Sequence, residues 1–572
     1  MSVSVGGTGE WSSGVNRRPA TIDRPSGEPM PDDFWLSTGR GSVLASQFWP
    51  TGTVAPESVG VVLVPGIAHE YHSMHFGLVT LARELATVGV PALVIDLAGT
   101  AQGSGTLGDP DLAAQWGDDV RCAVDHLRRS GLQHVAVVGT RLGALIAVDA
   151  LASDPVDLVV LWAPVLSGRR YVRELQMIEA AASDSAVPDL PGLTIAGYNL
   201  PPGLLDQLRG TAVDRIAGKP ASRVCLVDVP DRLAAIDLTP TPLAEVPVDR
   251  VEAAGTDDWL FSAADGMIAP FADIPTVIAA IRRPFRDASE VTHPPGVTRP
   301  DVRGSRRQEF EHDGVVIRET IVRFGRLGLS GILSEPATVD AEVGGPAYVA
   351  ITALGPGRLF PDFARRAAAR GRTCLRFDLA GFGTSPRRPG DGWADFYDPG
   401  APAEIADAID HVTGRGHDDV VLVAFCAGAW SAVQMAPHPA VRRIVGINLQ
   451  LFIRHRLLHR RPWPDLPPSK QVLASIGQRR NVRRVVKRVQ FSHPLPSPTL
   501  RWIRRHRRAG VDVTLVFAEE DRGSGYYRDR VEASRSPFVR RGLPTVRRYE
   551  GLGHLPSGAT RSRVLDDILS AD

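Results

Sequence analysis

At 572 residues the chain is too long for one hydrophobic core, and its length predicts two to four domains. A hydrophobic fraction of 43% beside 23% charged residues is an ordinary globular balance, and a net charge of +1 gives the whole molecule no electrostatic leaning. Only Cys122, Cys225, Cys374 and Cys426 occur, with no C-x-x-C pair and no regular spacing, which argues against a disulfide framework or a zinc site and for a reducing compartment. The N-terminus lacks an apolar stretch of signal-peptide length and no apolar run reaches about 18 residues, so a cytoplasmic protein without a transmembrane segment is expected.

Residues 1–31 are rich in Gly, Ser, Pro and Arg without periodicity and read as a disordered tail. Strand-like pieces at Phe34–Leu36 and Ser42–Phe48 precede a strongly apolar run, Gly60–Val64, that stops at Pro65-Gly66. A helical stretch over Phe76–Thr87 leads to the strand Ala92–Ile95 and the turn Asp96-Leu97-Ala98-Gly99. A helix over Trp116–Leu127, a strand over Val135–Val138, the turn Gly139-Thr140-Arg141-Leu142-Gly143 and a small-residue helix follow. Strands alternating with helices at this spacing predict a mostly parallel, doubly wound sheet.

The same order returns after a Pro/Arg-rich linker near 284–307. Strands over Val315–Val322, Gly328–Leu333 and Ala347–Ile351 come first. The loop Leu354-Gly355-Pro356-Gly357, a helix to about Arg370, and a strand over Thr373–Phe377 that closes on Asp378-Leu379-Ala380-Gly381 complete the repeat. The shared tetrapeptide D-L-A-G starts 45 residues before Arg141 and 48 before Cys426, so two copies of one fold are expected. The predicted organisation is a tail (1–31), a first domain (32–285), a linker (286–304) and a second domain (305–572).

Val420–Val423 forms a short β-branched run that breaks at small residues and passes directly into a helical pattern, with Cys426 at the break. A thiol there leaves the sheet beside open backbone N–H groups at the positive end of a helix dipole, which suits a nucleophile. The run Ala424-Phe425-Cys426-Ala427-Gly428 resembles the nucleophile elbow G-x-S-x-G of the α/β-hydrolase superfamily, with cysteine in place of serine and alanine in place of the first glycine. In detail both halves resemble hydrolase-like proteins that accompany bacterial exosortase and exopolysaccharide systems, relatives of the serine aminopeptidase S33 group. The first half carries the likeness in P-G-I-A-H-E-Y (65–71), G-T-R-L-G-A (139–144) and L-W-A-P-V-L-S-G-R-R-Y-V-R-E-L (161–175). The second carries it in G-P-G-R-L (355–359), L-R-F-D-L-A-G-F-G-T-S (375–385) and F-C-A-G-A (425–429).

The resemblance implies two tandem α/β-hydrolase domains, each a mostly parallel doubly wound sheet with a cap insertion. It also implies a catalytic order of nucleophile, acid and histidine. Beyond Cys426 the strand-like Val513–Ala518 ends at Glu519-Glu520-Asp521, where this fold puts its acid; Asp521 is the expected residue and Glu520 the alternate. Gly551-Leu552-Gly553-His554 then supplies the histidine, just before a last helix over Ser562–Leu569. The oxyanion donors implied are the N–H of Ala427 and one near Leu354-Gly355. A buried cysteine is most often a small core hydrophobe, and His554 alone could be a surface histidine; the elbow context and the glycine flanks favour catalysis. Asp96 and Asp378 belong to turns that are structural in this fold.

At the first elbow the nucleophile position holds Arg141, which cannot attack, and no histidine occurs between His134 and His293, so the expected histidine position around Thr256–Phe261 is empty. The first domain therefore reads as non-catalytic, either a domain kept for packing or an anion site at Arg141 with His69 and Tyr71 lining its mouth. Glu70, His72 and His75 lie in the same stretch, but no partner carboxylates complete a metal shell, and neither metal nor cofactor is expected.

From Gln450 to Gly510, where the fold carries its cap, 16 Arg and Lys residues face a single acidic residue, Asp465, for a net charge of +15; the rest of the chain sums to −14. Such a run is usually a solvated face, but this imbalance favours an anionic partner. An acidic acyl carrier protein would unite the charge with Cys426, a membrane surface or polysaccharide would fit the charge alone, and nucleic acid fits least because aromatic residues are few. The expected function is acyl transfer or (thio)ester hydrolysis by a Cys426–His554–Asp521 triad on a small-molecule or carrier-linked acyl group. The alternative is a catalytically silent pseudoenzyme that binds ligands or partners.

Overall fold

The computed structural model describes residues 29–55, 58–181, 190–195, 197–239, 241–260, 270–285, 296–338, 345–352, 358–388, 396–451, 498–535 and 540–572. The expected tail up to residue 28, linker residues 286–295 and cap residues 452–497 lie outside them. The described residues form two compact units, one drawn from Met1–Ile178 and Leu200–Ser305, the other from Glu179–Asn199 and Arg306–Asp572.

In the first unit, β1 (Asp32–Thr38) and β2 (Gly41–Phe48) make an antiparallel hairpin. They are followed by β3 (Val59–Val64), β4 (Ala92–Ile95), β5 (His134–Thr140) and β6 (Val156–Trp162). Two three-residue strands, β7 (Leu193–Ile195), within the stretch Glu179–Asn199 of the second unit, and β8 (Tyr198–Leu200), across the end of that stretch, pair with each other, while β9 (Ala221–Asp228) and β10 (Val248–Glu252) close the first unit's main sheet in the order β1-β2-β4-β3-β5-β6-β9-β10. From β4 onward every pairing is parallel. The continuous Val/Leu runs of β3 and β4 are buried along their whole length, as strands covered on both faces must be. The covering helices are α1 (His69–Thr87), α2 (Leu112–Arg129), α3 (Leu142–Leu151), α4 (Gly168–Ala181), α5 (Pro202–Gly210), α6 (Pro230–Ala235), α7 (Thr256–Leu260) and α8 (Ile274–Arg282). One core joins Leu63, Leu78, Val138 and Ile278 to Trp162 and Trp259, whose rings lie 4.7 Å apart.

The sequence predicts α1 to start at Phe76; it starts at His69, because Ala68 takes a left-handed φ of 53° and turns the chain at once into the helix. The histidine-rich stretch is thus the first two turns of α1 and not a loop. The last strand of this sheet is β10, and Thr256 to Leu260 form α7.

The second unit repeats the plan with one more edge strand: β11 (Arg307–His312), β12 (Val315–Phe324), β13 (Leu329–Pro336), β14 (Ala347–Thr352), β15 (Cys374–Asp378), β16 (Val420–Phe425), β17 (Val441–Ile447), β18 (Asp512–Ala518) and β19 (Thr545–Tyr549). Their order is β11-β12-β13-β15-β14-β16-β17-β18-β19, parallel from β15 onward. The helices are α9 (Leu359–Ala369), α10 (Ala401–Thr413), α11 (Cys426–Gln434), α12 (Pro498–Arg508), α13 (Arg522–Tyr527) and α14 (Gly558–Ser570). Both copies brace the D-L-A-G turn alike: the N–H of Ala98 donates to Asp119 Oδ2 at 2.9 Å, and that of Ala380 to Glu404 Oε2 at 2.9 Å.

In both sheets the strand order reverses beside the strand that carries the elbow, between β3 and β5 and between β14 and β16. Ligands of open parallel sheets bind at such a reversal, outside the carboxyl ends of the strands.

Candidate active site

β16 is buried throughout and ends at Phe425; Cys426 then takes a left-handed φ of 45° and opens α11. A non-glycine residue pays conformational strain for that geometry, which here lifts the side chain off the sheet. The first unit bends identically at Arg141, φ 49°, between β5 and α3. The last glycine of each elbow lets the helix approach the neighbouring strand. A Cβ on Gly428 would lie 2.9 Å from the Ile351 carbonyl oxygen, and one on Gly143 would lie 2.4 Å from that of Pro65. The first positions differ. A Cβ on Gly139 would lie 2.5 Å from Ala144 Cα, yet Ala424 carries its methyl group fully buried. Its register partner on β17 is Gly446, where Gly139 faces Leu161.

Cys426 is half-buried. Ala427, buried behind it, holds the second position of α11, where a backbone N–H has no acceptor within the helix. The other expected oxyanion donors, Leu354 and Gly355, lie outside the described residues.

Asp521 and His554 come together across 33 residues of sequence: Asp521 Oδ2 is 2.5 Å from His554 Nδ1. Asp521 is 7% exposed and caps α13, accepting from the Gly523 N–H at 2.7 Å, while Gln450 Nε2 donates to its two oxygens at 3.3 and 3.5 Å. With Nδ1 on the carboxylate, the Phe425 ring lies 5.4 Å from the imidazole, and Cys426 is near enough to influence its charge. Burial works to deprotonate His554, but its hydrogen bonds to Asp521 and Cys426, with the charges of both, outweigh burial and raise its pKa to about 10. Glu520 is exposed, so the alternate acid is set aside: the capping turn sends the following carboxylate inward instead.

Two residues that sequence reading did not single out hold this arrangement. Asn448, wholly buried with a φ of 49°, accepts from the Ala518 N–H at 2.8 Å and donates to the carbonyls of Gly553 and His554 at 3.0 and 2.7 Å. It ties the end of β18 to the histidine loop, and Gln450 ties the same corner to Asp521. The available signal was a pair of amides in Ile447-Asn448-Leu449-Gln450, directly after an apolar strand, where water cannot satisfy them.

In the first unit the elbow side chain is locked. Arg141 Nε donates to Glu70 Oε1 at 2.7 Å and Nη2 to Glu174 Oε1 at 2.5 Å, while the Tyr171 hydroxyl donates to Glu70 Oε2 at 2.9 Å and its ring lies 5.9 Å below the guanidinium. Burial disfavours the charge, and the two carboxylates more than restore it, holding Arg141 above its ordinary pKa. The expected anion site is therefore corrected: the cation is already answered by two carboxylates from α1 and α4. Burial lowers the pKa of His69 beside the same cluster, and Tyr71 donates to Asp96 Oδ1 at 2.7 Å. Asp228 ends β9, the counterpart of β18, but binds Arg232 on α6 at 2.8 Å. Thr256, following β10, receives a hydrogen bond from Trp162 Nε1 at 3.0 Å. Among the described residues no group of three or more His, Cys, Asp or Glu is placed to hold a metal.

The family model described as alpha/beta hydrolase family matches residues 348–566, and that of serine aminopeptidase, S33, matches residues 57–211. Similar solved structures include Est1E from Butyrivibrio proteoclasticus, at 13% identity over 45% of this chain and 98% of that one, with a TM-score of 0.32. An alpha-beta serine hydrolase homologue from Coxiella burnetii matches at 14% identity over 45% and 97% of the two chains, with a TM-score of 0.26. XC6422 from Xanthomonas campestris, an a/b serine hydrolase without lid, matches at 14% identity over 47% and 100%, with a TM-score of 0.27. No curated protein matches the chain. With a hydrolase family matched in each half, the chain belongs to the α/β-hydrolase superfamily, as an enzyme of two hydrolase domains in tandem.

Proposed function

We propose that the second unit hydrolyses, or transfers the acyl group of, an ester or thioester through Cys426, His554 and Asp521. The observation that carries this reading is the His554–Asp521 hydrogen bond, at 2.5 Å, beside the elbow thiol that helps raise the imidazole's pKa, with the carboxylate oxygens held by Gly523 and Gln450. With its proton already on His554, sulfur attacks the acyl carbon, and the oxyanion forms beside the Ala427 N–H. The bond to the leaving alcohol or thiol then breaks, His554 returns the proton to it, and the acyl group remains on Cys426 as a thioester. Water or an acceptor nucleophile attacks that thioester, loses its proton to His554, and releases the sulfur, which returns the site to its starting state. Asp521 keeps the ring in one tautomer throughout.

The first unit is read as non-catalytic, since a guanidinium fixed by Glu70 and Glu174 can neither attack nor relay a proton. A working thiol needs a reducing compartment, and the four free cysteines are consistent with the cytoplasm; no helix among the described residues is long and apolar enough to cross a membrane.

The test is turnover of p-nitrophenyl and N-acetylcysteamine acyl esters. Cys426→Ala should lower kcat/KM by about 10³-fold or more, the usual cost of removing a nucleophile. Undiminished turnover in that variant would overturn the reading.

A further inference from the structure

The contacts of His554 described so far fix it at two places and leave one freedom open. Asn448 holds the carbonyls of Gly553 and His554 at 3.0 and 2.7 Å, which anchors the backbone, and Asp521 lies 2.5 Å from Nδ1. The second side-chain torsion of a histidine has only a broad preference, so a single bond at Nδ1 lets the ring swing about it. The direction of the other ring nitrogen, the one left to serve sulfur, therefore depends on a further contact. Phe425 makes that contact: its ring centre lies 5.4 Å from that of the imidazole, with the planes inclined at 55°. Rings at such a separation, within about 4.5–7 Å, attract each other beyond the area they bury. Phe425 itself has little room to move. It is 5% exposed, ends β16 opposite Ile447 on β17, and belongs to a core that also holds Val423, Val516 and Leu552.

The first unit lacks both members of this pair. The position before its elbow residue is Thr140, whose hydroxyl donates to the Val64 carbonyl at 3.2 Å, and Thr256, in the region expected to hold a histidine, accepts from Trp162 Nε1 at 3.0 Å. The strand end is buried in both copies, so burial alone does not call for a ring there. The ring accompanies the imidazole. We propose that Phe425 is a positioning residue, whose side chain holds the plane of the His554 imidazole toward Cys426. Because Phe425 and Cys426 are consecutive, the strand that presents the thiol also sets the ring that must meet it. The inference rests on Cys426 reacting through His554.

The experiment compares the wild type with Phe425→Leu, which is apolar but offers no flat ring, and with Phe425→Tyr, which restores one. Two properties are read in each: the ultraviolet thiolate absorbance at neutral pH that is lost on adding Cys426→Ala, and kcat and KM for an acyl thioester of N-acetylcysteamine. In Phe425→Leu the thiolate signal should fall by about half or more and kcat by about tenfold or more at an unchanged KM, because a swung imidazole no longer holds its proton beside sulfur. Phe425→Tyr should return both to within about twofold of the wild type. A lower Tm in Phe425→Leu with the thiolate signal and kcat retained would assign the ring to packing and overturn the proposal, as would equal losses in Phe425→Tyr. Should Phe425→Leu fail to fold, Phe425→Met takes its place with the same readouts. If the wild type turns over no acyl ester or thioester, the Cys426 reading fails instead, and the thiolate signal alone judges Phe425. A signal kept by Phe425→Tyr and weakened by Phe425→Leu upholds the ring; one equal in all three proteins, or absent from the wild type, overturns it.

Discussion

Two residues at equivalent turns show how one backbone geometry serves opposite ends. Cys426 and Arg141 share a left-handed φ, but the thiol meets an imidazole and the guanidinium meets two carboxylates. Glu70 is 6% exposed, so Arg141→Ala strands a buried carboxylate and should destabilise the first unit by about 3–5 kcal/mol in denaturant unfolding, while the double variant Arg141→Leu/Glu70→Leu recovers most of that loss. A cost under about 1 kcal/mol would mean that the pair behaves as an exposed one. His554 carries the pH dependence. Its folded pKa of about 10 lies above the ordinary 6.5, so its contribution to stability is complete below about pH 6.5 and is lost as pH rises through 10. The difference in Tm between the wild type and His554→Ala should therefore be widest near pH 6 and narrow toward pH 10; a difference independent of pH contradicts the assigned network.

At the scale of elements, the strands were largely legible because β3, β4, β14 and β16 are fully buried, and β18 is buried beyond Asp512, so they read as predominantly apolar runs bounded by turn residues. Asp521 was legible for a related reason, since it follows β18 at a glycine-marked turn, whereas His554 follows the largely exposed β19 and was marked by the glycines before it and the helix after it. Asn448 was not, since its role depends on two loops, at Ala518 and at Gly553-His554, that meet it only once β17, β18 and β19 are side by side. The buried cluster of Glu319 with Arg365 and Arg376, at 3.1 and 2.8 Å, was hidden likewise, because β12, α9 and β15 bring its members from distant sequence. Asn448→Ala leaves an amide and two carbonyls without their partner and loosens the loop under His554. It should cost about 1–3 kcal/mol of stability and, by misplacing the imidazole, about 10²-fold in kcat. An unchanged kcat in a destabilised variant would assign Asn448 to folding alone.

For the whole molecule, duplication explains what the overall composition conceals. A net charge of +1 is the sum of a strongly basic stretch, 450–510, and an acidic remainder, a division that the total does not reveal. The Arg141 lock was the part least open to sequence reading: Arg141 alone suggested an anion site, and only the folded chain brings Glu70 and Glu174 from separate helices to neutralise it. With a thiol at one elbow and a guanidinium at the other, the proposed mechanism predicts a single acyl-enzyme per chain.

The direct measurement is the intact mass of the chain after brief exposure to an excess of an acyl thioester. One acyl increment per chain, mapped to Cys426 and absent from Cys426→Ala, is the predicted result. No increment with any acyl donor, or an increment that persists in Cys426→Ala, would contradict the account.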